Sequence, residues 1–176
     1  MTLTAAELRL LRLSKLASRD VALLSEGASM VADLSMSIAD ARSKISADRI
    51  LLAEQFIAMA DRMARSRADM SRAAIARYYY AMYHSMRAVA FFHFNGDDFE
   101  AHATLHQKGI PKDYPNASAA ANSLRDARLL RNEADYDPYP QMDAYFRDAA
   151  KRISQTARDF VAKARQYLLN KGNAHL

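Results

Sequence analysis

Apolar residues recur along this chain at spacings of three and four, the period of amphipathic helices. From about 4 to 45 a leucine-rich start (Leu8, Leu11, Leu16) leads into Met30, Leu34, Ile38, Ala41 and Ile45 at helical spacing. Ser46 reads as the N-cap of a helix over about 47–67, with Leu52, Phe56, Met59 and Met63 on one face. A third helix is predicted over 71–94, stopping at Asn95-Gly96-Asp97-Asp98. A short helix near 98–108 ends at Gly109, and Pro111 and Pro115 punctuate the loop that follows. The fourth long helix covers 117–135 and ends before Asp137-Pro138-Tyr139-Pro140, because a residue preceding proline disfavours helical angles. The last, about 141–169, carries Met142, Phe146, Ala149, Ile153, Ala157, Phe160, Ala164 and Tyr167. That stripe is roughly 40 Å long at 1.5 Å per residue. Amphipathic helices joined by short connections predict an all-α, up-and-down bundle.

Composition narrows this picture. The 176 residues, 51% of them hydrophobic, supply one sizeable core and are too few for two comfortable domains. Only 4 Gly and 4 Pro leave little room for the turns of a β-rich fold. The reading divides the chain into an N-terminal helical extension (1–45), a bundle (46–170) and a tail (171–176). The absence of cysteine removes thiolate nucleophiles, disulfides and zinc–thiolate sites, and suits a cytoplasmic protein. The first residues lack a basic head and apolar core, so no secretory signal is expected, and no stretch nears the ~18 apolar residues of a membrane span. A net charge of +5 mildly favours an anionic partner.

Two segments carry chemistry. On the third helix Ile75, Tyr79, Met82, Met86, Val89 and His93 form one stripe, read as core. Arg77, Tyr80, His84, Arg87 and Phe91 gather on the opposite side. Arginines mixed with aromatics suit either a second packed helix, with the arginines reaching to water, or an anion site. In Arg125–Asp137, Ala127, Leu130 and Ala134 mark the buried stripe. Arg131 sits beside it, four residues before Asp135 and within reach of an ion pair. The pair serves either the helix end alone or a polar site in which Arg131 meets phosphate or RNA.

The string Arg77-Tyr78-Tyr79-Tyr80-Ala81-Met82-Tyr83-His84, followed by Arg131-Asn132-Glu133-Ala134-Asp135-Tyr136, resembles the HEPN family. It is most similar to the branch with "R-x-YYAMFHA" and "R-x-x-ADY" motifs, over about residues 47–170. The resemblance implies a helical bundle, usually a homodimer, and for many members metal-independent RNase activity in toxin–antitoxin, defence or RNA-processing systems. The family's catalytic motif is R-x4-6-H, often with Asn after the Arg. Arg131 and Asn132 match it, but positions 136 to 138 are Tyr136, Asp137 and Pro138, so the histidine is absent. An arginine can still bind phosphate. The imidazole that would move a proton near neutral pH is missing, and the phenol of Tyr136, ordinarily with a pKa near 10, is a poor replacement. The family's nucleotidyltransferase-paired toxins carry a modifiable tyrosine two residues after that histidine, where this chain has Pro138, with Tyr139 next.

The expected site therefore comprises Arg77, Tyr80, His84, Arg128, Arg131 and Asp135 as RNA- or nucleotide-binding residues. Arg131, Asn132 and Tyr136 are the catalytic candidates. Asp98, His102 and His106 are spaced i, i+4, i+8, but spacing alone does not make a metal site, and no metal or cofactor is expected. Capping or packing near the third helix is the better role for His102. Lys151, Arg152, Arg158, Lys163 and Arg165 form a basic face on the last helix, solvated unless Arg77, Arg128 and Arg131 prove contiguous with it. The expected function is a non-catalytic, HEPN-like binding module. It would be homodimeric, off the membrane, and partnered by RNA or a nucleotidyltransferase-type antitoxin. The alternatives are an RNase toxin using Arg131 with a substitute base such as His84 or Tyr136, and a purely structural interaction protein.

Overall fold

The computed structural model describes residues 4–176, which form seven helices and, among the described residues, no strand. This is the all-α class that the periodicity predicts. The chain divides into two compact units, Met1–Ala41 and Arg42–Leu176.

The first unit holds α1 (Ala5–Leu13), α2 (Ser18–Leu34) and the opening turn of α3. A capping box starts α1: the Thr4 hydroxyl accepts from the Glu7 N–H at 3.2 Å, and the Glu7 carboxylate accepts from the Thr4 N–H at 2.7 Å. The stretch expected over about 4–45 is broken twice, after Leu13 and after Leu34. At the second break Ser35 takes left-handed angles (φ 51°) and Ser37 caps α3, its Oγ accepting from the Asp40 N–H at 3.0 Å. Local serine capping wins over a continuous apolar period. Neither α1 nor α2 has a buried residue, and Leu8, Leu11 and Leu16 remain exposed.

The second unit is the bundle: α3 (Ile38–Ala64, from Arg42 onward), α4 (Ser71–Phe94), α5 (His102–Lys108), α6 (Ala117–Tyr136) and α7 (Asp143–Asn170). Its centre is α4, with fourteen of 24 residues buried. The helix packs most extensively on α7 and next on α6, and α3 reaches it through Phe56, stacked on Tyr80 and His84. Small residues permit this enclosure. Ala74, Ala81 and Ala88 repeat every seventh position on α4, as do Ala150, Ala157 and Ala164 on α7, and all six are buried. A methyl group in place of a long side chain lets helix backbones close in, and Tyr78, Tyr79, Met82, Met86 and Phe146 fill the surrounding volume.

Several sequence expectations need correction here. Ser46 is no N-cap: it lies buried in mid-helix and donates its hydroxyl to the Arg42 carbonyl at 3.0 Å. No glycine or proline occurs in α3, so the helix simply continues through it. The buried face of α3 is Ile50, Ala53, Ile57 and Ala60, while Leu52 is 37% exposed and Phe56, Met59 and Met63 sit at the margin. The large residues suggested the wrong face, because backbone approach is set by the alanines. His93 belongs to the exposed end of α4 rather than to its core stripe. Met142, 67% exposed, is the N-cap of α7, whereas the other seven residues of that stripe are buried. Helix α5 starts at His102, since Asp97 is held by Arg49 and Arg87 and keeps the preceding residues in a turn. Among the described residues no single helix is long and apolar enough to cross a membrane.

The register of α3 is open to direct measurement. In urea denaturation Ile50→Ala is expected to cost about 2–5 kcal/mol, and Leu52→Ala less than about 1 kcal/mol. The reverse order would restore the face carrying Leu52.

Candidate functional site

The two segments singled out in the sequence meet in space. Arg131 Nη2, on α6, donates to the Tyr80 hydroxyl on α4 at 3.0 Å. Its guanidinium lies 5.5 Å from the Tyr80 ring centroid and 5.2 Å from that of Tyr136. The ion pair foreseen with Asp135 forms, at 2.7 Å from Nε to Oδ2, and Nη1 donates to Asn132 Oδ1 at 3.2 Å. The Asp135 contact is Coulombic rather than a well-directed hydrogen bond, because Nε has no partner of suitable geometry. Arg131, Asn132, Asp135, Tyr136 and Tyr80 are thus one constellation. Its position follows from the period of α6, where Leu124, Ala127 and Ala134 are buried and Arg131 falls beside them.

Behind the arginine lies an aromatic cluster. The Tyr79 hydroxyl and His102 Nδ1 are 2.5 Å apart, and the His102 ring is 4.2 Å from that of Tyr83. His84 stacks on Phe56 at 5.3 Å with 5° between the planes. Burial first, then the charges of Arg87 and Arg49 and the neighbouring His102, lower the His84 pKa to about 4. His102 is lowered too, by burial and then by Arg131, Arg128 and Arg87. Burial raises Tyr79, so its phenol keeps its proton and donates to the neutral imidazole of His102. His102 therefore packs against α4, as expected. His106 is engaged as well, with Nδ1 3.2 Å from the His102 carbonyl oxygen. No group of three His, Asp or Glu suited to a metal occurs among the described residues.

The arginines divide into two sets. Arg87 bonds to Asp97 and approaches Glu100 at 3.3 Å, and Arg49 meets the same Asp97 at 2.9 Å. These hydrogen bonds hold the Asp97 carboxyl below its ordinary range, so the group is a structural joint between α3, α4 and the turn after α4. Arg77 lies 5.9 Å over the Phe56 ring with a buried Nε that has no partner. Arg128 sits close enough to Tyr79 and His102 to shift both. Neither Arg77 nor Arg128 has an ion-pair partner among the described residues, and Arg128, which acts on Tyr79 and His102 together with Arg131, leaves positive charge available to an anion there. On α7, Arg158 pairs with Asp61 at 2.5 Å, Arg165 with Glu54 at 3.2 Å, and Lys151 approaches Asp148 at 3.6 Å. Arg152 and Lys163 line the groove between α6 and α7. Of the α7 charges, Arg158 and Arg165 are thus engaged with α3 carboxylates.

Sequence reasoning missed two contributors. Phe56 was read as core of α3, yet it forms the floor under Tyr80 and His84. Arg72 was not singled out at all. Its Nη1 donates to the carbonyls of Ala134 at 3.1 Å and Asp137 at 2.8 Å, and Nη2 to that of Pro140 at 3.0 Å. That fork, stacked 3.8 Å over Phe146, ties the end of α6 and the segment after Tyr136 to α4. No family model matches the chain, and no curated protein matches its sequence.

The histidine environment gives a pH dependence. The folded-state pKa of His84 lies below the ~6.5 of an unfolded histidine, so the unfolded chain binds more protons between those values. Stability is full above about pH 6.5 and falls as pH drops toward 4, and His84→Phe is expected to flatten that fall in urea midpoints. An NMR titration should place the His84 ring midpoint near 4. An unchanged pH slope in the variant would contradict the assignment.

Proposed function

We propose that this protein is a HEPN-like binding module whose Arg131 face holds the phosphate of RNA or of a nucleotide without cleaving it. In this reading it works as a homodimer in a toxin–antitoxin or defence-type system, with a nucleotidyltransferase-type protein as its partner. The observation that carries the reading is the convergence of both motif segments on Arg131. The guanidinium is fixed by Tyr80, Asn132 and Asp135, with Arg128 acting on the same Tyr79 and His102 and without an ion-pair partner among the described residues. A fixed guanidinium backed by a further cation suits a phosphate, and Tyr136, 69% exposed, offers a ring on which a base can stack.

Binding is favoured over cleavage by the state of the candidate bases. His84, with a pKa near 4 and a ring stacked flat on Phe56, is a weak base at neutral pH and is not protonated to serve as an acid. Tyr136 stands beside the guanidinium with its ring in solvent.

Fluorescence anisotropy with a labelled RNA oligonucleotide tests the proposal. Arg131→Ala and Arg128→Ala are each expected to weaken binding about 10-fold, with affinity falling as salt rises. No binding at about 100 μM protein, a binding free energy of about −5.5 kcal/mol, would sink the reading. Incubation with total RNA in EDTA addresses chemistry: cleavage abolished by Arg131→Ala would establish the RNase alternative instead. A monomer by light scattering at tens of micromolar would remove the dimer.

A further inference from the structure

At the far end of α4 from Tyr80, roughly 20 Å along the helix at 1.5 Å per residue, a second polar network borders a cavity of the bundle. The cavity is about 580 Å³ and lies between the last turn of α4 and the chain leaving α5. That is the size range of small-ligand sites. Phe94 and Ile110 supply its apolar lining, and Lys108 and Lys112 its cations. The wall is held in place by Gly109, where an added Cβ would come within 2.9 Å of the Leu105 carbonyl oxygen and of Phe99 Cβ, so only glycine permits this close turn.

One side of the cavity is a hydrogen-bonded chain. The hydroxyl of the buried Tyr167 donates to Asp113 Oδ1 at 3.0 Å and lies 3.1 Å from His93 Nδ1. Burial and the Asp113 carboxylate raise the Tyr167 pKa, so the phenol keeps its one proton and directs it to the carboxylate. The hydroxyl oxygen can then serve His93 only as an acceptor, which requires that Nδ1 carry the imidazole proton. His93 lines the cavity, and its Nε2 has no hydrogen-bond partner among the described residues. Lys171, 2.6 Å from Asp113 Oδ2, already meets the charge of that carboxylate, so Lys108 and Lys112 face the cavity uncompensated.

We propose that this cavity binds a small organic anion with an apolar body, a chemistry met by aryl phosphate monoesters. The apolar body rests on Phe94 and Ile110, the phosphate oxygens meet Lys108 and Lys112, and His93 Nε2 is left to hydrogen-bond the head group. The site is independent of the Arg131 face and does not rest on the function proposed for it.

Phenyl phosphate is the probe, added near pH 6 to isotopically labelled full-length protein and followed by NMR. Saturable shifts are expected at Phe94, Lys108 and Ile110 amides and at the His93 ring, with half-saturation at about 1–5 mM, the range of a weak fragment-sized ligand. Inorganic phosphate alone and phenol alone should each bind about 10-fold more weakly. The doubly substituted Lys108→Ala, Lys112→Ala protein, altered only at exposed residues, should lose about 10-fold in affinity while its free spectrum stays native. Long-range ¹H–¹⁵N spectra should show His93 protonated on Nδ1, and Tyr167→Phe should mix the tautomers. The proposal is overturned by non-saturating shifts up to about 20 mM, by equal binding of inorganic phosphate, by indifference to the lysine substitutions, by shifts centred on Arg131, or by a His93 ring protonated on Nε2 alone.

Discussion

The close enclosure of α4 is the constraint on which the rest of the bundle depends. Alanines at 74, 81 and 88, and at 150, 157 and 164 on α7, keep backbones near one another where larger side chains would force them apart. A helix surrounded in this way has little solvent-facing surface on which to leave polar groups. Each hydroxyl, imidazole and guanidinium on α4 has to find a partner or reach water through a gap between its neighbours. Tyr78 reaches Asp61, Tyr79 reaches His102, Tyr80 reaches Arg131, and Arg87 reaches Asp97. The chemistry of the site is largely the set of solutions to that requirement.

Those solutions differ in what they leave available. Asp97 absorbs both Arg49 and Arg87, and this charge is spent on joining elements. Arg131 has one carboxylate and two neutral partners, and Arg128, which acts on the same Tyr79 and His102, pairs with no acid among the described residues, so excess positive charge collects there. Burial acts oppositely on the histidines, holding His84 and His102 neutral. A face with fixed cations and no proton carrier tuned to neutral pH is suited to recognising phosphate rather than to breaking the ester. Arg72 adds rigidity, because three backbone carbonyls converge on its guanidinium and fix the segment that presents Tyr136.

Much of this was legible along the chain. The boundaries of α4, the turn at Asn95, the end of α6 before the Asp-Pro-Tyr-Pro segment and the apolar stripe of α7 all follow from local signals that act within a few residues. So does the Arg131–Asp135 pair, since residues four apart on a helix are neighbours whatever surrounds them. The errors share one cause. Leu52, Phe56, Met59 and Met63 look like the core of α3 by size, and Ser46 looks like a cap by type. The neighbours of α3 decide both, because only small side chains fit where helices nearly touch.

The sequence by itself determined the helical class, the approximate helix ends in the bundle and the two segments that carry charge and aromatic rings. Periodicity, capping and i, i+4 contacts are enough for these. Tertiary structure alone decided that the two segments meet through Tyr80 and Arg131, that His84 lies flat on Phe56 and loses its basicity, and that Tyr167 sits between His93 and Asp113. Each joins residues 17 or more positions apart, through packing that no local spacing encodes.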